Sequence, residues 1–226
     1  MSSARGATTP GDHALRTLVI ACGALAHELK AITSMNGLNN VTVECLPAHL
    51  HNRPSEIPDA VRERIGRARE AGGYDQILVG YADCGTGGRL ATVVSEENAS
   101  AAGSDRADGP EVTMLAGAHC YEFFATAPRF AEIQDAEIGS FYLTDFLVKH
   151  FERMVWQGLG LDRHPELLPM YFGNYTRCVY LAQSDDPALV EQAEAAAGRL
   201  GLSLLVERTA YGELESTLVR IAGSPR

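Results

Sequence analysis

Of the side chains in this 226-residue chain, the five cysteines are the best suited to chemistry, and their positions sort them. No two form a C-x-x-C pair, so any shared site must be assembled by the fold. Cys22 closes the run "LRTLVIACG" (15–23), Cys84 closes "DQILVGYADCG" (75–85) and Cys120 closes "VTMLAGAHC" (112–120). Each run reads as a buried strand, which puts each of these cysteines at a carboxyl end. Cysteines that serve only as small buried hydrophobes have no reason to collect at one edge of a sheet, whereas a metal or a thiol reaction requires convergence from separate strands. Cys22, Cys84 and Cys120, with His119 beside the last, offer a Cys₃ or Cys₃His donor set with an open position. Zinc suits it, because its tetrahedral sites take thiolate and imidazole. On a continuing strand His119 and Cys120 point to opposite sides, so at most one of them ligates. Cys45 and Cys178 lie inside apolar runs and read as packing residues.

Three neighbouring segments bear on that site. In "DCGTGG" (83–88), Gly85 and Gly87 either permit a tight turn or aim backbone N–H groups at an anionic cofactor or substrate beside Cys84. The segment lacks the G-K-[ST] of a P-loop. In "LPAHLHNRP", His49 and His51 share one side if the segment is extended, and His51 is a candidate for metal or substrate contact; a solvated loop is the competing reading. In "HCYEFF", Glu122 stands two residues past Cys120. It is either a general acid/base there or a first-turn carboxylate complementing a helix dipole. The polar-aromatic "YFGNYTR" precedes a strand, at an amino end away from the site, and reads as structural unless it folds over the sheet as a lid.

The elements that must carry these residues alternate. After the strand ending at Cys22, "ALAHELKAIT" is helical. "VTVECLP" (41–47) is a strand stopped by Pro47. Ser55 then caps a helix whose Ile57, Val61 and Ile65 share one face, with Pro58 in its first turn. Leu143, Phe146, Leu147, Phe151, Met154 and Val155 predict one helix over 140–157, ended by Gly158. "RCVYLAQ" (177–183), a helix from Pro187 to Leu200 opened by Asp185 or Asp186, and "LSLLVE" (202–207) form a strand–helix–strand unit. Such alternation predicts an α/β fold, a mostly parallel open sheet with helices on both faces, and ligands outside the carboxyl ends of its strands. Residues 1–12 read as a disordered tail and 13–226 as a single α/β domain with a surface insertion near 95–110, where the sequence is small, polar and aperiodic.

Composition sets the boundaries. With 46% hydrophobic residues the chain has enough apolar side chains for a sizeable core. A formal charge of −10 with scattered Lys and Arg argues against nucleic acid as a partner. No apolar run is long enough to span a membrane and the amino end lacks a secretory h-region, so a reduced, cytoplasmic setting is expected.

"ACGALAHEL", "LPAHLHNRP", "GYADCGTGG", "HCYEFF", "FYLTDFLVKHF" and "YFGNYTRCVYLAQ", in this order, resemble a bacterial and archaeal family known as a domain of unknown function, with a "GYG-x-CG" or "GYADCG" loop and an "HC" or "HDC" step. The chain departs from that pattern chiefly by the insertion near 95–110. The resemblance implies proximity to corrinoid-dependent methyl transfer, hence methylated amines or thiols and a corrinoid or methyltransferase partner. From the residues themselves, the expectation is a zinc-dependent enzyme acting on a small molecule by thiol activation for methyl transfer or by hydrolysis. A metal-free two-cysteine racemase or isomerase, and a non-catalytic metal- or corrinoid-associated binding protein, are the alternatives.

Overall fold

The computed structural model of the protein describes residues 15–102 and 109–223. The first half alternates β1 (Thr17–Cys22), α1 (Ala26–Met35), β2 (Val41–Leu46), α2 (Ile57–Ala71), β3 (Gln76–Gly80), α3 (Arg89–Ala102) and β4 (Glu111–Met114). Two short helices, α4 (Tyr121–Ala125) and α5 (Ala127–Ala136), lead into the second half. That half contains β5 (Ser140–Thr144), α6 (Asp145–Lys149), α7 (Leu168–Phe172), β6 (Arg177–Ala182), α8 (Pro187–Leu200), β7 (Ser203–Arg208) and α9 (Gly212–Ala222).

Among the described residues every strand pair is parallel, and the strands fall into two sheets, ordered β2-β1-β3-β4 and β5-β6-β7. The α/β architecture with a parallel sheet is therefore as the alternation predicts. In the first sheet β1 is central and all six of its residues are buried, the pattern of a strand covered on both faces. Chain order reverses between β1 and β3, so the loops after these two strands flank the topological switch point, where open parallel sheets leave a crevice.

The second sheet divides its side chains by the two-residue period of a strand. Cys178, Tyr180 and Ala182 of β6 enter one core with Leu143, Val148, Leu189 and Ala193. Val179 and Leu181, facing the other way, join the larger core that also contains Val19, Ile77, Phe124 and Leu214. That shared core, with α4 packed on α9, binds the two sheets together. Among the described residues no helix is long and apolar enough to cross a membrane.

Several expectations are corrected. Residues 140–157 are not one helix: 140–144 form β5, the Thr144 hydroxyl accepts from the Leu147 amide to open α6 (3.3 Å), and 152–156 form a π-helical turn. β4 stops at Met114, six residues before Cys120. Ser55 lies in a 3₁₀ turn, Pro54–Glu56, and α2 begins after Glu56 with no side-chain cap. Of the stretch read as an insertion, 95–102 continue α3 and 103–108 lie outside the described residues, as does the tail, 1–12. Asp186 does open α8, accepting from the Ala188 amide at 3.0 Å.

Candidate functional site

β1 delivers Cys22 directly to the switch point. Its extended backbone (φ −66°, ψ 139°) turns the sulfur back onto the Ala24 amide (3.3 Å), so the thiol caps the 3₁₀ turn that follows. The His51 Nδ1 stands 3.3 Å from the same sulfur. His51 comes from a 3₁₀ turn, Ala48–Asn52, after β2. The turn is not extended, and His49 is exposed while His51 is partly buried. The His51 ring stacks on Tyr81, centroids 6.3 Å apart. The Tyr81 hydroxyl is buried and directed at Cys22, yet forms no well-shaped hydrogen bond among the described residues.

Cys84 arrives by a strained loop. Its φ of 50° lies in the left-handed region, which a residue with a Cβ occupies at a cost of roughly 1–2 kcal/mol. Neighbouring bonds hold it there. The Asp83 amide donates to the Gly117 carbonyl (3.1 Å) and the Cys84 amide to the Ala118 carbonyl (3.0 Å). Gly85 (φ 79°) and Gly87 (φ 64°) then turn the chain. The Asp83 carboxylate fills the resulting concavity from within, accepting from the Gly88 amide (2.7 Å), the Thr86 hydroxyl (2.8 Å) and the Gly87 amide (3.1 Å). These bonds, the Gly88 amide foremost, hold the carboxyl below its ordinary range. The amide of Gly87 is thus engaged with the chain's own anion.

Cys120 lies just before α4 in a turn that Glu122 secures: its Oε1 accepts from the amides of Ala118 (2.8 Å) and His119 (3.2 Å). Glu122 therefore fastens the turn. Of the adjacent pair, Cys120 faces inward and is partly buried, with its amide directed at the Cys84 sulfur. His119 is exposed beside the Tyr121 ring, 6.2 Å between centroids.

Cys22, Cys84 and Cys120 lie within one another's electrostatic reach. Burial pushes the Cys22 thiol up to about 12 and Cys84 to about 11, and raises Cys120 well above its ordinary value. A thiolate at Cys84 opposes ionisation of the other two. Burial also lowers His51, which keeps its imidazole neutral. Among the described residues no three His, Cys, Asp or Glu side chains are already gathered as a set that could hold a metal ion. Cys178 is fully buried in the second core; Cys45, opposite Ala21 on β2, is partly buried beside Cys22.

Glu28 is a further buried group that bears on Cys120. Its Oε2 has no partner among the described residues, and burial raises its pKa. The signal in the sequence is a carboxylate within the apolar stripe Leu25, Leu29, Ile32 of "LAHELKAI". Asp145 is a buried acid of another kind. It accepts from the Tyr180 hydroxyl (2.7 Å), the Gln183 amide (3.0 Å) and the Ser184 hydroxyl (2.6 Å), tying the ends of β5 and β6.

The carboxyl ends of the two sheets border a half-open cavity of about 270 Å³. Leu25 and Phe124 from the first half and Phe141, Leu147, Met154 and Val155 from the second make its apolar walls. Cys120, His51, Asn52 and Thr144 add polar groups; neither Cys22 nor Cys84 lines it. An apolar concavity with a few convergent polar groups is the general form of a small-molecule site.

Comparison with curated proteins and with solved structures finds no match. The family model described as "Protein of unknown function (DUF1638)" matches residues 45–218, a span that contains His51, Cys84 and Cys120 and begins after Cys22. The chain belongs to that family.

Proposed function

We propose that the protein is a zinc-dependent enzyme for a small molecule, with Cys22, Cys84 and Cys120 as metal ligands and the cavity as the route by which substrate reaches them. The observation that supports this reading is that Cys22, Cys84 and Cys120 lie within one another's electrostatic reach near the β1/β3 switch point, with His51 against Cys22 and with Cys120 and His51 in the cavity lining. Because no three of these groups are gathered as a set among the described residues, holding an ion would require them to move together, and His51 beside Cys22 is available as a ligand or as a base. Bound zinc would stabilise the thiolates and offer an open position to a substrate thiol, for methyl transfer, or to water, for hydrolysis.

The electrostatics favour this over a metal-free cysteine enzyme. A cysteine nucleophile is activated by a cation or helix end that lowers its pKa, whereas these thiols are raised by burial and by one another. A two-thiol racemase would also need sulfurs on both sides of the substrate, and Cys120 is the one cysteine among the cavity-lining residues.

The test is zinc content after anaerobic purification. About one zinc per chain is expected, lost in Cys84→Ser because a hydroxyl is a poor substitute for thiolate, and retained in Cys178→Ser. Reduced protein that neither carries zinc nor takes it up from a buffered solution would refute the reading.

A further inference from the structure

The cavity carries an inference about what the site acts on, and it rests on the function just proposed. We propose that this cavity is the substrate chamber of the thiol site and that it takes a neutral, largely apolar molecule of roughly ten non-hydrogen atoms or fewer, at about 30 Å³ each, with its reactive end toward Cys120 and His51.

The lining supports the class. Among the described residues that form it there is no Asp, Glu, Lys or Arg. Its single nitrogen base is the partly buried His51. A carboxylate, phosphate or ammonium group held among the apolar walls, away from the proposed metal, would lose hydration and meet no oppositely charged side chain in the lining, a cost that disfavours it. Phe124, Phe141, Phe146, Leu147 and Met154 instead offer apolar contact along the body of a ligand. The polar groups that remain, Cys120, His51, Asn52 and Thr144, suit a thiol, thioether or hydroxyl. Short alkyl or aryl thiols, thioethers and alcohols fit; free amino acids and phosphorylated compounds do not. A corrin ring exceeds the volume, so a corrinoid methyl donor would have to act from outside, carried by a partner.

Three probes of equal non-hydrogen atom count separate the possibilities by calorimetry on the reduced, full-length protein: 1-pentanethiol, 1-pentanol and 3-mercaptopropionate. The first two are expected to bind, and 3-mercaptopropionate at least about tenfold more weakly than 1-pentanethiol. Leu147→Trp and Met154→Trp, which enlarge apolar wall residues contributed by the second half of the chain, are expected to lose 1-pentanol binding while zinc content stays at the wild-type level. Equal affinity for the charged and neutral thiols overturns the proposal on wild-type protein alone. So does undiminished 1-pentanol binding in either variant that folds. The 1-pentanol arm is repeated after treatment with chelator. Retained binding there upholds the chamber even if the zinc reading fails. Bound zinc without discrimination against the charged thiol defeats the chamber and leaves the zinc reading standing.

Discussion

If the left-handed backbone at Cys84 is strained, removing the Cβ should release that strain, and comparing two variants that both lack the sulfur isolates the effect. Cys84→Ala and Cys84→Gly lose the same thiol, the same proposed metal ligand and nearly the same burial. At an ordinary position glycine is the less stable of such a pair by roughly 0.5–1 kcal/mol, because its unfolded chain is freer. At φ 50° the alanine variant also carries about 1–2 kcal/mol of left-handed strain that glycine avoids. The difference leaves Cys84→Gly the more stable by up to about 1.5 kcal/mol, with roughly 0.5–1 kcal/mol the middle of the range. For a chain of this size that is about 1–4 °C in melting temperature, and it is also measurable as a shift in urea midpoint at constant m. Chelator treatment removes any bound metal from the comparison. Cys22 supplies the control, since its φ of −66° and ψ of 139° are ordinary extended values; there the alanine variant should be the more stable by about 0.5–1 kcal/mol. The same order in both pairs would refute the strain argument and reduce the 83–88 segment to an unstrained turn.

Other outcomes follow from single side chains. Asn98 of α3 donates to the Val112 carbonyl (2.8 Å) and accepts from the Val112 amide (2.9 Å), completing edge strand β4 as a ladder neighbour would; Asn98→Ala should cost about 1–3 kcal/mol in urea unfolding, and a loss under about 0.5 kcal/mol would show that water replaces the amide. Glu28 has a raised folded pKa, so its contribution to stability is fully present below the unfolded carboxyl pKa and falls as pH rises toward the folded value. Glu28→Gln should therefore gain stability relative to wild type between acid and neutral pH, and a pH-independent difference would contradict the burial assigned to the carboxyl. Asp83 has the opposite sign: its lowered pKa means that the stability it lends the loop is lost as pH falls through the folded value, so Asp83→Asn should flatten the acid limb of the stability curve.

The strands and helices that could be read from sequence are those whose burial is uniform or one-sided. β1, β2, β6 and β7 are short apolar or β-branched runs with clear stops, and α2 shows its buried Ile57, Val61 and Ile65 at four-residue spacing. Residues 140–157 misled for a physical reason. β5 divides its apolar side chains between two cores, Tyr142 into one and Leu143 into the other, so no polar face alternates with an apolar one and periodicity cannot distinguish the strand from a buried helix. The meeting of Cys84 with Cys120 was legible as a tendency of cysteines to end apolar runs. Its means was not, because Cys120 arrives through a glycine-containing turn fixed by Glu122 and not on the end of β4. The unpartnered Glu28 and the buried hydroxyl of Tyr81 depend on packing from distant segments.

The split of the strands between two sheets separates two jobs that many sites combine. Cys22, His51, Cys84 and Cys120 all precede residue 125, whereas Phe141, Thr144, Phe146, Leu147, Met154 and Val155 all follow the crossing into the second sheet. On the proposed function, the first half thus carries the candidate reactive groups and the second half much of the wall against which a ligand would rest. Substitutions at 141–159 would reshape the occupant's space while leaving the thiols on their own strands and loops, so under the proposed function selectivity and chemistry could be altered in separate segments of the sequence.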